Sequence, residues 1–457
     1  MRASEDGLGR FANHFGGRKR WPELRIVFEN AGRCHGRATS AGLRCPEAVN
    51  WVCCQLGARE HYAVPRALFR MGLLQRLITD AWVTPSSSLG KTSGRTPGLK
   101  ERFHKELRDA PVRAFNSSLI GFEMFARLRS LTGWPKIVAR NRWFRRKVVS
   151  LLRSQRSTGS YEPILLSYSY TALEPFRYAK SRGWKTVLIQ MDPGPEEEAI
   201  VAAEAARVPE LAGDWQPAPA EYWASWRDEC KLADRIIVNS EWSREGLIRR
   251  GVPSEKLTLI PLAYAASEVG DQKSEIRQLR SYPPRFTKER PMRLLFLGQV
   301  NLRKGVARLL EAARALRDEP VEFWIVGPVQ IANAERAAEG ARVKWFGPVT
   351  RKETAEKYRS ADVFILPTLS DGFAITQLEA QAHSLPAISS KCCGGVVENG
   401  RNGIILEEPS AACIAAAIRE CVADPNRLQT LAAASYVQNV FTPDMLGQRL
   451  QELGSTL

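Results

Sequence analysis

The sequence predicts an α/β protein built from two doubly wound domains that face each other across a cleft. Three observations support this prediction. Short apolar runs alternate with amphipathic helical runs from about residue 162 onward, a polar and proline-rich linker interrupts them at about 265–290, and the alternation then restarts. Strands that alternate with helices form parallel sheets with right-handed crossovers. A chain of 457 residues is long enough for two such domains.

The first half has the less regular pattern. Its first convincing strand is 51–56, and the helical pattern after it begins at Val64, with Pro65 in the first turn. A helix predicted after Ser240 has a capping serine at its start and Gly251 at its end. The remaining predicted strands of this half are 164–166, 186–190, 235–239 and 257–260.

The second half is more regular, and it closes with one more amphipathic helix at 444–453. Its predicted strands are 293–297, 322–326, 343–346, 363–366 and 387–389, and its predicted helices are 304–317, 331–338, 351–360, 374–383 and 410–423. Ligands of doubly wound sheets bind beyond the carboxyl ends of the strands. Two such domains in series therefore predict a binding cleft between those ends.

These patterns divide the chain into four segments. Residues 1–49 are rich in glycine and arginine and predict a disordered extension. Residues 50–286 form the amino-terminal domain and residues 287–435 the carboxy-terminal domain. We expect the last helix, within 436–457, to pack back on the amino-terminal domain.

The charge of the chain is uneven. Residues 1–160 contain 30 Lys and Arg against 11 Asp and Glu, whereas the other 297 residues contain 36 against 38. A basic face of this kind attracts phosphates, anionic lipid or acidic glycans, or it is simply a solvated surface. The basic helical run 140–156 is either a membrane-interface helix or a surface helix packed on the sheet. No sequence motif supports specific nucleic-acid binding.

Other compositional features narrow the class further. The chain contains no run of about 18 uncharged apolar residues and no apolar signal segment at Met1. Nine cysteines without a C-x-x-C pair predict thiols rather than a zinc site or a disulfide framework. We therefore expect a cytoplasmic protein, with peripheral contact at the inner face of a membrane through its basic first third.

The first motif with chemical content is LFLGQVNLRKG at 295–305. A strand ends at Gly298, a short loop follows, and a helix is expected near Lys304. Gly298 allows a ligand to approach the backbone closely. Arg303 and Lys304 place two cations beside a helix N-terminus, a combination that suits a diphosphate.

The second motif is LPTLSDGFAITQLEAQA at 366–382. A strand ends in proline, and the Gly372 turn precedes a helix expected near Ala374. Glu379 lies on that helix, where a carboxylate can accept two hydroxyls of a ribose, and Asp371 lies just before it. The N–H groups of Phe373, Ala374, Ile375 and Thr376 are expected to face phosphate or sugar oxygens. The alternative is that Asp371 only caps the helix and Glu379 is a surface charge.

Taken together, these motifs resemble the family 4 glycosyltransferases, which have the GT-B fold of two Rossmann-like domains. The resemblance covers 293 to about 440 and the segment ADRIIVNSEWSREGLIRRGVPSEKLTLIPLAY at 233–264. The shorter segments WIVG at 324–327, VKWFGPV at 343–349 and YRSADVFILP at 358–367 also match.

The resemblance implies a nucleotide-sugar donor site in the carboxy-terminal domain. The family marks it by two acids separated by seven residues, which correspond here to Asp371 and Glu379. Glu379 would bind the ribose, Asp371 the hydroxyls of the transferred sugar, and Lys304 the leaving diphosphate. The family requires no metal or other cofactor, and most members retain the anomeric configuration. Two positions depart from its pattern. This chain has Asp371 where the family usually has glutamate, and Gln299 where it usually has arginine. Arg303 is expected to supply the charge that is missing at position 299.

The first domain offers weaker candidates. By analogy, the loop after its first strand lines the cleft, which makes Gly57, Arg59 and His61 candidates for contacts with the donor phosphate or acceptor. His61 is also the candidate catalytic residue of this half, and its alternative is a structural histidine. Tyr168, at the end of a later strand, is a further cleft candidate.

The sequence thus predicts a glycosyltransferase that moves a hexose from a UDP- or GDP-sugar to a saccharide or lipid-linked acceptor in polysaccharide or glycolipid synthesis. Two alternatives remain open within the same fold. One is a donor-binding protein with impaired catalysis, suggested by Asp371 and Gln299, and the other is a sugar phosphorylase. The sequence does not identify the sugar, the base or the acceptor, because pocket shape rather than fold sets specificity.

Overall fold

The computed structural model describes residues 50–87, 101–154, 163–264 and 280–457. The disordered extension predicted at 1–49 and most of the linker at 265–290 lie outside the described residues. The described chain contains two parallel sheets flanked by helices, as the alternation of strands and helices predicts.

The first sheet has seven strands in the order β3-β2-β1-β4-β5-β6-β7, and every neighbouring pair is parallel. The strands are β1 Trp51–Gln55, β2 Leu74–Thr79, β3 Val112–Ala114, β4 Ile164–Tyr168, β5 Lys185–Gln190, β6 Arg235–Val238 and β7 Leu257–Leu259. Chain order reverses direction beside β1 and β4, so the loops that follow these two strands diverge. This edge of the sheet faces the cleft described below.

The second sheet has six strands in the order β10-β9-β8-β11-β12-β13, again all parallel. The strands are β8 Met292–Leu297, β9 Val321–Val326, β10 Val343–Gly347, β11 Val363–Leu366, β12 Ala387–Ser390 and β13 Gly403–Leu406. The switch in direction lies between β8 and β11, which are the strands that precede the two charged motifs. Parallel topology therefore brings both motifs to the same point of the sheet.

The helices of the described residues connect these strands. They are α1 Ala63–Arg70, α2 Asn116–Leu128, α3 Gly133–Ser154, α4 Leu173–Ser181, α5 Pro195–Arg207, α6 Pro209–Ala212, α7 Ala220–Leu232, α8 Glu241–Arg249, α9 Val306–Ala315, α10 Ala334–Ala337, α11 Arg351–Ser360, α12 Thr376–Ala382, α13 Ala411–Ala423, α14 Pro425–Ala434 and α15 Pro443–Ser455. Short 3₁₀ turns cover Arg59–Tyr62, Lys105–Leu107, Ser254–Lys256, Leu302–Lys304 and Asn439–Phe441.

Several boundaries differ from the sequence prediction, and the strands β2, β3 and β13 are not predicted at all. The helix expected near Lys304 begins as a 3₁₀ turn, and the α-helix starts only at Val306, because Gly305 between them has a left-handed backbone with φ 71°. Likewise, α12 starts at Thr376 rather than near Ala374, whose own φ is 55°. Both motifs thus carry a non-helical residue directly before their helix.

The basic run 140–156 falls largely in α3. Phe144, Val148 and Leu152 at helical spacing are buried against the first sheet, while Arg142 and Arg146 are exposed. Of the two alternatives for this run, the packed surface helix is the one observed. No helix of the described ranges has the length and apolar character needed to span a membrane.

Two segments cross between the sheets. Leu446, Leu450 and Leu453 of the last helix, α15, are buried in the core beneath the first sheet. In the opposite direction, α5 and α6, which connect β5 with α7, bury Val201 and Leu211 in the core of the second sheet. Each domain therefore contributes apolar side chains to the core of the other.

Candidate active site

The loop after β8 is fixed by close backbone approaches. A Cβ on Gly305 would lie 1.9 Å from the carbonyl oxygen of Pro367, and a Cβ on Gly327 would lie 1.8 Å from that of Gly298. Only glycine permits these approaches. The side chain of Asn301 accepts a hydrogen bond from the Lys304 N–H at 3.1 Å and so begins the 3₁₀ turn that carries the cations.

The loop after β11 is joined to that turn. The Leu369 N–H and the Thr368 hydroxyl both donate to the Arg303 carbonyl, at 2.9 and 3.1 Å. The joined loops bring the two motifs together: Lys304 Nζ forms an ion pair with Asp371 Oδ2, and Arg303 Nη1 lies 3.4 Å from Asp371 Oδ1. Sequence-distant cations and acid thus form one cluster.

Electrostatics keep Asp371 ionised. Burial alone would raise the pKa of its carboxyl, but Lys304 and Arg303 hold that pKa below its ordinary value. In this structure the two oxygens of the Asp371 carboxylate face Arg303 and Lys304. An anionic ligand that reaches Lys304 must therefore share or replace the contact with Asp371.

The start of α12 presents backbone donors. Across the described ranges, the N–H groups of Phe373, Ala374, Ile375 and Thr376 donate to no protein acceptor. They lie between Asp371 and Glu379 in the chain and lead into a helix, where donors of this kind meet anionic oxygens. The positive φ of Ala374 is a conformation that costs a non-glycine residue free energy and is typical of functional loops.

Glu379 projects from α12 and is positioned by a tyrosine. Tyr358 donates its hydroxyl to Glu379 Oε2 at 2.8 Å, and the ring of His383 stacks on Tyr358 with centroids 5.3 Å apart. Burial raises the pKa of Glu379, against the opposing effects of Tyr358 and Arg351. The Glu379 carboxylate is thus held on a rigid helix, as its position in the motif predicts.

These groups line a cleft of about 440 Å³ between the two sheets. That volume suits a ligand of nucleotide size. The predicted residues that line it are His61, Gly298, Arg303, Lys304, Asp371, Phe373, Ala374, Ile375, Thr376 and Glu379. Residues from the first domain that also line it, and that the sequence did not single out, include Glu60, Met191 and Asn239.

The wall of the cleft on the first domain is a left-handed turn. Glu60, His61 and Tyr62 have φ values of 50°, 50° and 62°, which is a strained conformation for three consecutive non-glycine residues. Tyr62 is fully buried and anchors the turn. As a result His61 points across the cleft to the second domain, where its imidazole lies 2.9 Å from Arg351 Nη2.

Glu60 is the functional candidate of this loop that sequence reasoning missed. Its carboxylate accepts the Tyr168 hydroxyl at 3.4 Å, and burial raises its pKa to about 7 in spite of Arg59 and Tyr168. The only sequence signal was its position between the two residues that were singled out. A carboxyl that titrates near neutrality in a cleft is a candidate for proton transfer.

Three predicted cleft residues, Gly57, Arg59 and Tyr168, are not among the residues that line this cleft and lie next to its wall. Gly57 donates its N–H to the buried Asp80 at 3.0 Å, and the guanidinium of Arg59 reaches Met191 Sδ at 2.9 Å. Tyr168 is buried and supports Glu60. These residues hold the Glu60–Tyr62 turn in place.

Gly372, a predicted donor-binding residue, is not among the residues that line the cleft and faces the first domain. A Cβ at this position would lie 1.7 Å from the Met191 carbonyl oxygen and 2.8 Å from Asn239 Nδ2. The need for glycine thus comes from contact between the domains.

The described residues contain no cluster of three or more His, Cys, Asp or Glu side chains arranged to hold a metal ion. The charged side chains that line the cleft are the cations Arg303, Lys304 and Arg351 and the carboxylates Glu60, Asp371 and Glu379.

Sequence comparison finds a family and relatives that this chain resembles. Residues 291–424 match the family model described as glycosyl transferases group 1. A D-inositol 3-phosphate glycosyltransferase of Geodermatophilus obscurus is 29% identical over 216 residues, covering 42% of this chain and 46% of the relative. The enzyme of the same name from Streptomyces bingchenggensis is 27% identical over 247 residues, covering 49% and 53%. The chain spans about half the length of these relatives.

Solved structures extend the likeness to most of the chain. Anabaena HepE in complex with UDP and glucose superposes with a TM-score of 0.56 at 15% identity, over 90% of this chain and 100% of that one. Sucrose-phosphate synthase from Thermosynechococcus elongatus gives 0.56 at 18% identity, over 89% and 98%. Residues 291–424 are therefore similar to the glycosyl transferases group 1 family, within a chain that has the GT-B fold of two Rossmann-like domains.

Proposed function

We propose that this protein is a glycosyltransferase that moves a hexose from a nucleotide-diphosphate sugar to a saccharide or lipid-linked acceptor, with retention of configuration. The observation that carries the proposal is the cluster of Arg303, Lys304 and Asp371 beside Glu379 and the N–H groups of 373–376. One cleft thus offers groups for a diphosphate, a sugar and a ribose. The names of the relatives and the glycosyl transferases group 1 match support the same reaction class.

In this mechanism, Lys304 and Arg303 stabilise the charge that develops on the leaving diphosphate. Preorganised charges of this kind contribute several kcal/mol to transition-state stabilisation, on the order of 3–4 kcal/mol for one group. Glu379 accepts the ribose hydroxyls, while Asp371 exchanges its contact with Lys304 for hydroxyls of the sugar. The reaction then needs no metal, because two side-chain cations neutralise the diphosphate.

The first domain would supply the acceptor side. Glu60 and His61 face Asp371 and Glu379 across the cleft, and the acceptor hydroxyl would enter between them. We propose His61 as an acceptor-contacting residue and Glu60 as the group that receives the proton of the acceptor hydroxyl. UDP is the first nucleotide to test, since a protein of the same fold has been solved with UDP and glucose.

The test is transfer from UDP- and GDP-hexoses to lipid-linked and free saccharide acceptors, with and without a metal chelator. We expect release of nucleoside diphosphate that depends on an acceptor and survives chelation. If inorganic phosphate in place of an acceptor yields sugar phosphate, the phosphorylase alternative holds. If donors bind without turnover, the impaired donor-binding protein is the correct assignment.

We also propose a peripheral contact with an anionic membrane surface at the cytoplasmic face. On α2, Ile120, Met124 and Leu128 lie at helical spacing and are 48%, 66% and 85% exposed, with Phe125 beside them. Arg127 and Arg129 flank this apolar stripe and are exposed as well. An apolar stripe bordered by arginines, in the basic third of the chain, has the chemistry of a helix that lies on anionic lipid.

Flotation with vesicles of phosphatidylglycerol and phosphatidylcholine tests this contact. We expect Met124→Glu with Leu128→Glu to abolish flotation and Ile248→Glu, a single exposed apolar residue on α8, to leave it unchanged. Equal flotation of all three proteins would rule out α2 as the contact.

A further inference from the structure

A residue from the first domain reaches the donor cluster, and the proposed function does not use it. Glu197 lies in the first turn of α5, the helix that leaves the first sheet and packs on the second domain. Its Oε2 accepts the Ser370 hydroxyl at 2.9 Å, and its Oε1 lies 3.7 Å from Arg303 Nε. Glu197 thus contacts both loops of the predicted diphosphate site.

Ser370 makes this contact specific. Its hydroxyl oxygen accepts the indole N–H of Trp242 at 3.1 Å while its hydrogen goes to Glu197, so its donor and acceptor capacities are both used. Ser370 is fully buried and immediately precedes Asp371. Two side chains of the first domain therefore fix the residue beside the sugar-binding carboxylate.

An ionised Glu197 would cancel the positive charge of the predicted diphosphate site. Arg303 and Lys304 contribute two positive charges, and Asp371 and Glu197 contribute two negative charges when both are ionised. The charged groups that face Glu197 are Arg303, Asp371 and Asp192. A diphosphate that entered this neutral cluster would gain little net attraction, and its own charge would repel Glu197.

We propose that Glu197 is a positioning residue that is protonated in the donor-bound state and takes that proton from solvent wherever it is ionised before binding, which leaves the diphosphate site with a net positive charge and frees Arg303 for the phosphates. This inference rests on the proposed donor site. The proton comes from solvent and binds Glu197 Oε1, the oxygen beside Arg303, while the Ser370 hydroxyl still donates to Oε2. The new O–H bond is the only bond that forms in the protein.

The electrostatic surroundings support this assignment. Burial raises the pKa of Glu197 to about 8, and Asp192 and Asp371 add to this effect, while Arg303 and the Ser370 hydroxyl oppose it. A bound diphosphate adds negative charge and raises that pKa further. Linkage then requires donor affinity to fall as pH increases through 8, because binding must bring a proton with it.

The test is calorimetry with UDP, GDP and ADP at pH 7 to 9, in buffers that differ in ionisation enthalpy. The nucleotides do not interfere, because a phosphate has its second pKa at about 6. For the wild type we expect uptake approaching about half a proton at pH 8, and an affinity loss approaching about tenfold per pH unit above it.

Two variants distinguish Glu197 from other groups. Glu197→Gln keeps a carbonyl oxygen for the Ser370 hydroxyl but is always neutral. At pH 8 we therefore expect its proton uptake to be lower than that of the wild type by about half a proton, and its Kd to change less steeply with pH; Glu60, whose pKa is raised to about 7 in the same cleft, contributes equally in both proteins. Glu196→Gln is the matched control, since this neighbouring acid faces Arg249 and Arg250 on the outside and should behave as the wild type.

The outcomes separate the two proposals. Nucleotide binding without proton uptake in the wild type, or with the same uptake in Glu197→Gln, would overturn the role of Glu197 and leave the donor site standing. Absence of binding for every nucleotide would overturn the proposed function, and this inference with it.

Discussion

The two domains share one architecture but hold their functional residues in different ways. In the second domain both charged loops follow neighbouring strands, and close approaches at Gly305 and Gly327 fix them in place. In the first domain the cleft wall is the left-handed turn Glu60–Tyr62, and Glu197 comes from a helix that packs away from its own sheet. The donor side is therefore built locally, and the opposite side depends on strain and on contacts between domains.

The largest expected effect is on the rate of transfer, when a cation of the second domain is removed. For Lys304→Ala we expect a loss of about 10²–10³-fold in the rate of transfer, the scale for one preorganised charge. Steady-state kinetics with the best donor measures it, and Lys231→Ala, an exposed lysine of α7, is the control. Wild-type turnover by Lys304→Ala would contradict the assigned role of Lys304.

Glycine replacements compare the two kinds of close approach. Gly305→Ala places a Cβ against Pro367 within one domain at φ 71°, and we expect a loss of about 3 kcal/mol in unfolding free energy. Gly372→Ala instead collides with Met191 of the other domain, so we expect a smaller stability loss and weaker donor binding.

Denaturant unfolding and nucleotide titration separate these effects. Gly395→Ala, which has open space and an ordinary φ, is the control for both replacements. Equal losses of unfolding free energy for Gly305→Ala and Gly372→Ala would contradict the distinction between a close approach within one domain and one between the two domains.

The contact between domains at Glu197 also predicts a pH-dependent stability. Its folded pKa is raised to about 8, so its contribution is fully present below its ordinary pKa and is lost as pH rises toward 8. Glu197→Gln removes this dependence. We expect it to become more stable than the wild type by on the order of 2 kcal/mol between pH 5 and 8, measured by urea unfolding in the absence of nucleotide. A constant difference over that range would contradict the raised pKa.

The smallest expected effect is a difference in stability that arises from backbone strain in the Glu60–Tyr62 turn of the first domain. His61→Gly and His61→Ala remove the same imidazole, but only glycine relieves the left-handed backbone at φ 50°. We therefore expect His61→Gly to be about 1 kcal/mol more stable than His61→Ala, with activity reduced alike in both. Identical midpoints of thermal unfolding would mean that the turn stores no strain at His61.

The difference between the domains also explains how much the sequence could predict. The fold and the grouping of the proposed donor residues from Gly298 to Glu379 in one cleft follow from local patterns, because strand, loop, charges and helix lie within a few residues of one another. The strand β13 and the starts of α9 and α12 were not predicted correctly, since the left-handed residues Gly305 and Ala374 move the helix starts.

Contacts between distant segments explain the remaining omissions. Glu197 is one of three consecutive glutamates that look like ordinary first-turn acids of a helix. Only the packing of α5 on the second domain makes it face Arg303. Gly57 and Arg59 are predicted in the cleft by analogy and Tyr168 by its place at a strand end. In the structure the left-handed turn Glu60–Tyr62 brings Glu60 and His61 to the cleft lining, which the other three residues do not join.

The most direct test of the donor site is thermal unfolding of the wild type and Glu379→Ala with UDP, GDP and ADP, each with and without a hexose. We predict that one nucleotide stabilises the wild type, by about 2.7 kcal/mol at a hundredfold excess over Kd, and that the stabilisation disappears in Glu379→Ala. The absence of stabilisation by any nucleotide, or equal stabilisation of both proteins, would contradict a nucleotide-sugar site at this cleft.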